Sequence, residues 1–120
     1  MILVVEDEVG LRDVLAEILE ITDIPALCVA SGEEGVAMYE QSQTQIEAVF
    51  LDVQLPGMGG KATFNALRTI NPTLPVVLMS GRPEHLVMAE FDGEEHLSYL
   101  EKPFTLETII AKVDTVLNVA

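Results

Sequence analysis

Five short apolar or mixed runs punctuate the chain: Ile2–Val5, Ala26–Val29, Ala48–Leu51, Val76–Met79 and Leu97–Leu100. None alternates polar with apolar residues. Each therefore reads as a strand covered on both faces, the situation of a parallel sheet between helices. Valine or isoleucine enriches three of them, and acidic or turn residues bracket three. Pro25 and Ala26 weaken the signal of the second. Helical patterns fill the gaps. Leu11, Val14, Leu15, Ile18 and Leu19 share one face of a helix over about Val9–Glu20. Ser31 is a candidate N-cap with Glu34 as its capping-box partner, for a helix that runs to about Gln43 and buries Val36 and Tyr39. A third helix, about Lys61–Ile70, buries Phe64, Leu67 and Ile70 and stops before Asn71–Pro72. A weaker one covers Pro83–Phe91. Thr105 caps the last, with Leu106, Ile109, Ile110, Val113, Val116 and Leu117 toward the core.

This order of elements is an α/β chain of (βα)5 type. Crossovers between parallel strands are right-handed, and five units are too few to close an eight-strand barrel. The expectation is a doubly wound, flavodoxin-like three-layer fold around a parallel five-stranded sheet in order 2-1-3-4-5. The 120 residues form one domain, 1–120, able to bury roughly two-thirds of their unfolded surface. No apolar stretch approaches the ~18 residues of a membrane span. Glu6, Asp7 and Glu8 cut off Met1–Val5 before a secretory segment can form. Membrane insertion by this segment is not expected. The lone Cys28 allows no internal disulfide, packs as a small hydrophobe and fits a cytoplasmic setting. Six Lys and Arg against twenty Asp and Glu give a net charge of −14. Such a field repels phosphate backbones and anionic lipids, which argues against direct nucleic-acid binding and leaves basic proteins and divalent cations as partners.

In an open parallel sheet, ligands bind beyond the carboxyl ends of the strands where the strand order reverses. Here that point lies between the first and third strands, at Glu6, Asp7, Glu8 and Asp52. Carboxylates forced together raise one another's pKa unless a cation intervenes, and hard oxygen ligands with room for water suit Mg²⁺. Ser80 follows the fourth run and Lys102 the fifth. Singly, a strand-end serine is usually a cap and a lysine usually solvated. Together, a hydroxyl, an ammonium and a carboxylate cluster on one rim suit phosphoryl chemistry, with an aspartate able to accept the group as an acyl phosphate.

Four motifs carry a resemblance over essentially the whole chain: Val4-Val5-Glu6-Asp7-Glu8, Phe50-Leu51-Asp52-Val53-Gln54-Leu55-Pro56-Gly57-Met58-Gly59-Gly60, Leu78-Met79-Ser80-Gly81 and Tyr99-Leu100-Glu101-Lys102-Pro103-Phe104. In this order and spacing the chain resembles a receiver domain of a two-component response regulator. The resemblance implies that Asp52 is the phosphoacceptor, taking its phosphoryl group from a phosphohistidine. It implies that Glu6 and Asp7 are the acidic pair, with Asp7 the closer Mg²⁺ ligand, and that Asp52 and the Gln54 backbone carbonyl also serve the metal. Ser80 matches the switch hydroxyl, Tyr99 the aromatic switch and Lys102 the lysine that pairs with the phosphoryl group. The Lys102–Pro103 bond matches one that the family holds cis. Gln54 and Arg82 sit at the two positions that flank the route of the hydrolytic water, and so tune dephosphorylation. Glu6 stands where aspartate is commoner, so its longer side chain reaches the metal through water.

The partners implied are a sensor histidine kinase, in cis or in trans, or a histidine phosphotransfer protein. The receiver is expected as a monomer or a weak dimer through the face of the fourth helix, fifth strand and fifth helix. The Met79–Arg82 and Glu101–Thr105 stretches are similar to receivers of hybrid histidine kinases. As an isolated domain it is not expected to be an enzyme, beyond assisting its own phosphorylation and dephosphorylation. Two other classes compete. A haloacid-dehalogenase-like phosphatase also places an aspartate after a strand of such a sheet, but needs a second aspartate where this chain has Gln54. An inert pseudo-receiver would have no use for Asp7, Asp52, Ser80 and Lys102 together. The run Phe91–His96 departs most from the family and is expected to be mobile, while His85 and His96 read as surface histidines.

Overall fold

The computed structural model describes residues 1–117; the last three positions of the domain expected over 1–120 lie outside the described residues. Strands β1 (Ile2–Val5), β2 (Ala26–Val29), β3 (Ala48–Asp52), β4 (Val76–Ser80) and β5 (Leu97–Glu101) form one sheet in order β2-β1-β3-β4-β5. Every pairing is parallel. Between and after them run α1 (Val9–Ile21), α2 (Gly32–Gln41), α3 (Gly59–Ile70), α4 (Glu84–Ala89) and α5 (Leu106–Leu117). This is the doubly wound architecture read from the sequence.

Successive strand residues point to opposite faces, and here both faces are core. Leu3, Val5, Val49, Leu51 and Leu78 pack with Tyr39, Phe64, Leu67 and Val87 beneath α2, α3 and α4. Ile2, Val4, Phe50, Val77 and Met79 pack with Leu15, Leu19, Ile109 and Val113 beneath α1 and α5. Covering on both sides removes any reason for polar alternation in β1, β3 and β4. The caps are as expected: Ser31 Oγ accepts the Glu34 N–H at 3.1 Å and Thr105 Oγ1 accepts the Thr108 N–H at 3.2 Å.

Four expectations change. Val14 is 46% exposed and Leu106 is 44% exposed rather than turned to the core. Val14 flanks the buried stripe of α1 and borders an open groove with Leu11, Pro103 and Phe104. Leu106 sits in the first turn of α5, before that helix reaches the sheet at Ile109 and Val113. Helix α3 starts two residues early, at Gly59; Gly60, a poor helix former, stands in its first turn because a Cβ there would collide with the Val53 backbone. Finally, the Phe91–His96 run is anchored at its two ends. Phe91 is buried edge-on against Phe64, with ring centroids 5.3 Å apart. Arg68 donates to the carbonyls of Glu95 and His96 at 2.9 and 3.2 Å, and to that of Leu74 at 2.6 Å. Those anchors come from α3, remote in sequence from the segment they hold.

Helices α2 and α3 meet without a spacer at Gly32. A Cβ there would collide with the Thr63 hydroxyl oxygen and the Met58 side chain, whereas one at Gly10 on α1 meets nothing. Chemical denaturation should therefore find Gly32→Ala destabilised by about 1–3 kcal/mol and Gly10→Ala stabilised by about 0.5–1 kcal/mol.

Candidate functional site

The carboxyl ends of β1, β3, β4 and β5 bring Glu6, Asp7, Asp52, Ser80 and Lys102 to one rim, as the strand order requires. Asp52 closes β3 and is 3% exposed; Glu6 follows β1 and is 1% exposed. Lys102 bridges the two: its Nζ lies 2.9 Å from Glu6 Oε1 and 3.3 Å from Asp52 Oδ2. Backbone donors hold the remaining oxygens. The Gln54 N–H donates to Asp52 Oδ1 at 2.9 Å and the Glu8 N–H to Glu6 Oε2 at 3.1 Å. The Lys102–Pro103 peptide is cis, as the resemblance implied. The Lys102 N–H donates to the Ser80 carbonyl at 2.7 Å, which ties the ends of β4 and β5 together.

The carboxylate oxygens of Glu6, Asp7 and Asp52 lie within 4.8 Å of one another. The Glu6 carboxyl is pushed up to about 7. Burial is the main cause, and neighbouring Asp52 adds to it, while Lys102 and the Glu8 amide pull the other way. Burial works to lower the Lys102 ammonium pKa, but the Glu6 and Asp52 carboxylates outweigh it and the net shift is upward. Three carboxylates, two of them sharing one ammonium, can take up a divalent cation. Asp7, the exposed member, together with Asp52 could hold such a cation directly; Glu6 is the more closely engaged by Lys102, at 2.9 Å against 3.3 Å for Asp52.

Ser80 is buried, and its Oγ accepts the Arg82 N–H at 3.0 Å. That leaves the hydroxyl hydrogen free to be donated elsewhere. Tyr99 is buried too, already turned inward, and its hydroxyl donates to the carbonyls of Ser80 (3.1 Å) and Arg82. Any movement of the ring thus starts from an inward position. Gln54 is exposed beside Asp52. The Arg82 side chain turns to Glu90, with Nη1 2.8 and 3.2 Å from the two carboxylate oxygens.

Three supporting residues escaped the sequence reading. Arg12 Nη1 donates to the carbonyls of Glu6 and Asp7 at 2.8 and 3.1 Å and so fixes the acidic turn. Glu90 holds Arg82, and Lys61 donates to the Glu90 carbonyl at 2.7 Å. The available signal was scarcity: with six Lys and Arg in the chain, each one repays a search for its partner.

A doubly wound sheet with this rim of acid, hydroxyl and lysine defines a phosphoacceptor module of two-component signalling. Residues 2–114 match the response regulator receiver domain, and the chain belongs to that family. It is 33% identical to the sensory transduction protein RegX3 of Mycolicibacterium smegmatis, over 98% of this chain and 50% of that protein. The receiver domain of NtrX from Brucella abortus superposes with a TM-score of 0.87 at 30% identity, covering 100% of each chain. The receiver domain from the hybrid histidine kinase CckA gives a TM-score of 0.82 at 29% identity, over 97% of each chain. The chain spans about half the length of the curated regulators it matches.

The upward shift of Glu6 has a sign that can be tested. The unfolded chain ionises this group near its ordinary value of 4.5, while the folded chain resists until about 7. Its contribution to stability is therefore complete below the unfolded value and is lost as pH rises through the folded one. In buffer with chelator, denaturant titrations between pH 4.5 and 7.5 should show the wild type losing about 2–3 kcal/mol relative to Glu6→Gln.

Proposed function

We propose that Asp52 accepts a phosphoryl group from a phosphohistidine, supplied by a sensor histidine kinase in cis or in trans or by a histidine phosphotransfer protein. One observation carries this reading: a buried carboxylate at the end of β3 lies 3.3 Å from the Lys102 ammonium, on the rim that also presents Ser80. In the transfer, an Asp52 carboxylate oxygen bonds to phosphorus. The phosphorus–nitrogen bond breaks and its electron pair returns to the partner's imidazole. Lys102 is placed to follow the growing charge from the carboxylate to a phosphoryl oxygen. Ser80 donates its free hydroxyl hydrogen to another. Asp7, Asp52 and the Gln54 carbonyl would hold Mg²⁺, with Glu6 acting through water; bound there, the ion neutralises phosphoryl charge.

Phosphorylation replaces one negative charge with about −2 and adds acceptor oxygens. Ser80 and Tyr99 are joined through the Ser80 carbonyl, so a shift at Ser80 passes to β5 and on to α4 and α5. The readout is a population shift of the α4–β5–α5 face, used by a partner or by a weak dimer of the otherwise monomeric domain. The setting is cytoplasmic, where the kinase partners act; among the described residues no helix is long and apolar enough to cross a membrane. The domain is not itself an enzyme, since each phosphoryl group it takes stays on Asp52 until water removes it. A haloacid-dehalogenase-like phosphatase is disfavoured, because the Gln54 amide does not ionise where that chemistry needs a general acid/base.

Incubation with Mg²⁺ and acetyl phosphate, followed by intact mass, separates the readings. A receiver gains about 80 Da, and Asp52→Asn gains nothing. Turnover of the donor without an adduct would indicate the phosphatase, and no reaction at all the inert module. In thermal unfolding, Mg²⁺ at roughly tenfold excess over its dissociation constant should stabilise the wild type by ~1.4 kcal/mol, and Asp7→Asn clearly less.

A further inference from the structure

Helix α4 has six residues, of which only Val87 is buried, yet both of its ends are fastened. Ahead of it, Arg82 gives its N–H to Ser80 Oγ at 3.0 Å, and its carbonyl accepts the Tyr99 hydroxyl. Behind it, the Glu90 carbonyl accepts Lys61 Nζ at 2.7 Å. Lys61 also lies 4.3 Å from the centre of the buried Phe91 ring. The Arg82 guanidinium closes the circuit on Glu90, 2.8 Å from one carboxylate oxygen and 3.2 Å from the other. The main chain of Arg82 is thus tied to the hydroxyl that serves Asp52, while its charge is led away along α4.

We propose that Glu90 is a positioning residue for the dephosphorylation of Asp52: by holding the Arg82 guanidinium on α4, it keeps that side chain out of the path of the attacking water. The inference rests on the reading of Asp52 as phosphoacceptor. In hydrolysis a water oxygen bonds to phosphorus. The bond from phosphorus to the Asp52 oxygen breaks and its electron pair stays on the restored carboxylate. The water's protons pass to the departing phosphate and to solvent. A phosphoryl group bearing about −2 competes with Glu90 for the Arg82 guanidinium. If Arg82 moves onto the phosphoryl oxygens it occupies the side from which water must come, and the rate falls. Both partners are about two-fifths exposed. A pair so exposed biases such a competition by no more than about fivefold, which makes Glu90 a tuning device and not an on–off control.

The experiment follows decay of the Asp52 adduct by intact mass after removal of acetyl phosphate, on the full chain with Mg²⁺. Four proteins are compared: wild type, Glu90→Gln, Arg82→Ala and the double variant. Glu90→Gln should lengthen the half-life about threefold, and this lengthening should vanish in the Arg82→Ala background. Glu90→Lys, which repels the guanidinium, should lengthen it at least as much. An equal effect of Glu90→Gln in both backgrounds, or no effect in either, overturns the proposal and leaves Glu90 with only a structural part in holding α4. A wild type that takes up no phosphoryl group overturns instead the reading of Asp52, and this inference with it.

Discussion

A single ammonium group holds the acidic rim together. Lys102 lies between two carboxylates that are almost wholly removed from water, and its backbone N–H is bonded to the Ser80 carbonyl. One residue therefore joins the ends of β1, β3, β4 and β5. Removing one member of a buried ionic cluster leaves an uncompensated charge, which is far more costly than the loss of an exposed pair. The Glu6 carboxyl is pushed up mainly by its burial, with Asp52 adding to the shift and Lys102 opposing it. Three carboxylates brought so close could hold a divalent ion, and the Lys102 ammonium already lies 3.3 Å from an Asp52 oxygen.

The rest of the molecule divides by how firmly it is held. The three central strands are packed on both faces by large aliphatic and aromatic side chains, so they cannot shift without opening voids. Helix α4 contributes one buried residue and depends on polar fastenings instead. Such fastenings can be exchanged at little cost, whereas core packing cannot. On the proposed reading of Asp52, a change of charge there would therefore be expressed at α4 and β5 and not in the middle of the sheet. The inward Tyr99 hydroxyl, shared between the Ser80 and Arg82 carbonyls, lies on the line between the two regions.

The sheet, its strand order and the five residues on its rim were legible because they follow from short-range pattern and a general topological rule. Continuous apolar runs gave the strands, and the strand order brought Glu6, Asp7 and Asp52 together with Ser80 and Lys102. The choice of Asp52 as acceptor and of Tyr99 as a switch came from motif resemblance and not from periodicity. What was not legible depends on partners far apart in sequence. Phe91–His96 reads as a loose acidic stretch, but Arg68, nearly thirty residues earlier, holds its carbonyls. Arg82 reads as one of two residues flanking the route of the hydrolytic water, but its pairing with Glu90 has no signature in the sequence. Val14 and Leu106 fit an apolar helical stripe, but periodicity does not say where a helix first meets its sheet.

The use of the basic side chains has a consequence for how copies of the domain meet. Arg12, Lys61, Arg68 and Lys102 turn their cations onto the protein's own carbonyls, rings and carboxylates, and Arg82 onto Glu90. What is left facing outward is overwhelmingly anionic. Two such bodies repel at long range, and dissolved ions shorten the reach of that repulsion. Self-association of this chain should consequently tighten as ionic strength rises, the reverse of an assembly joined by complementary charges.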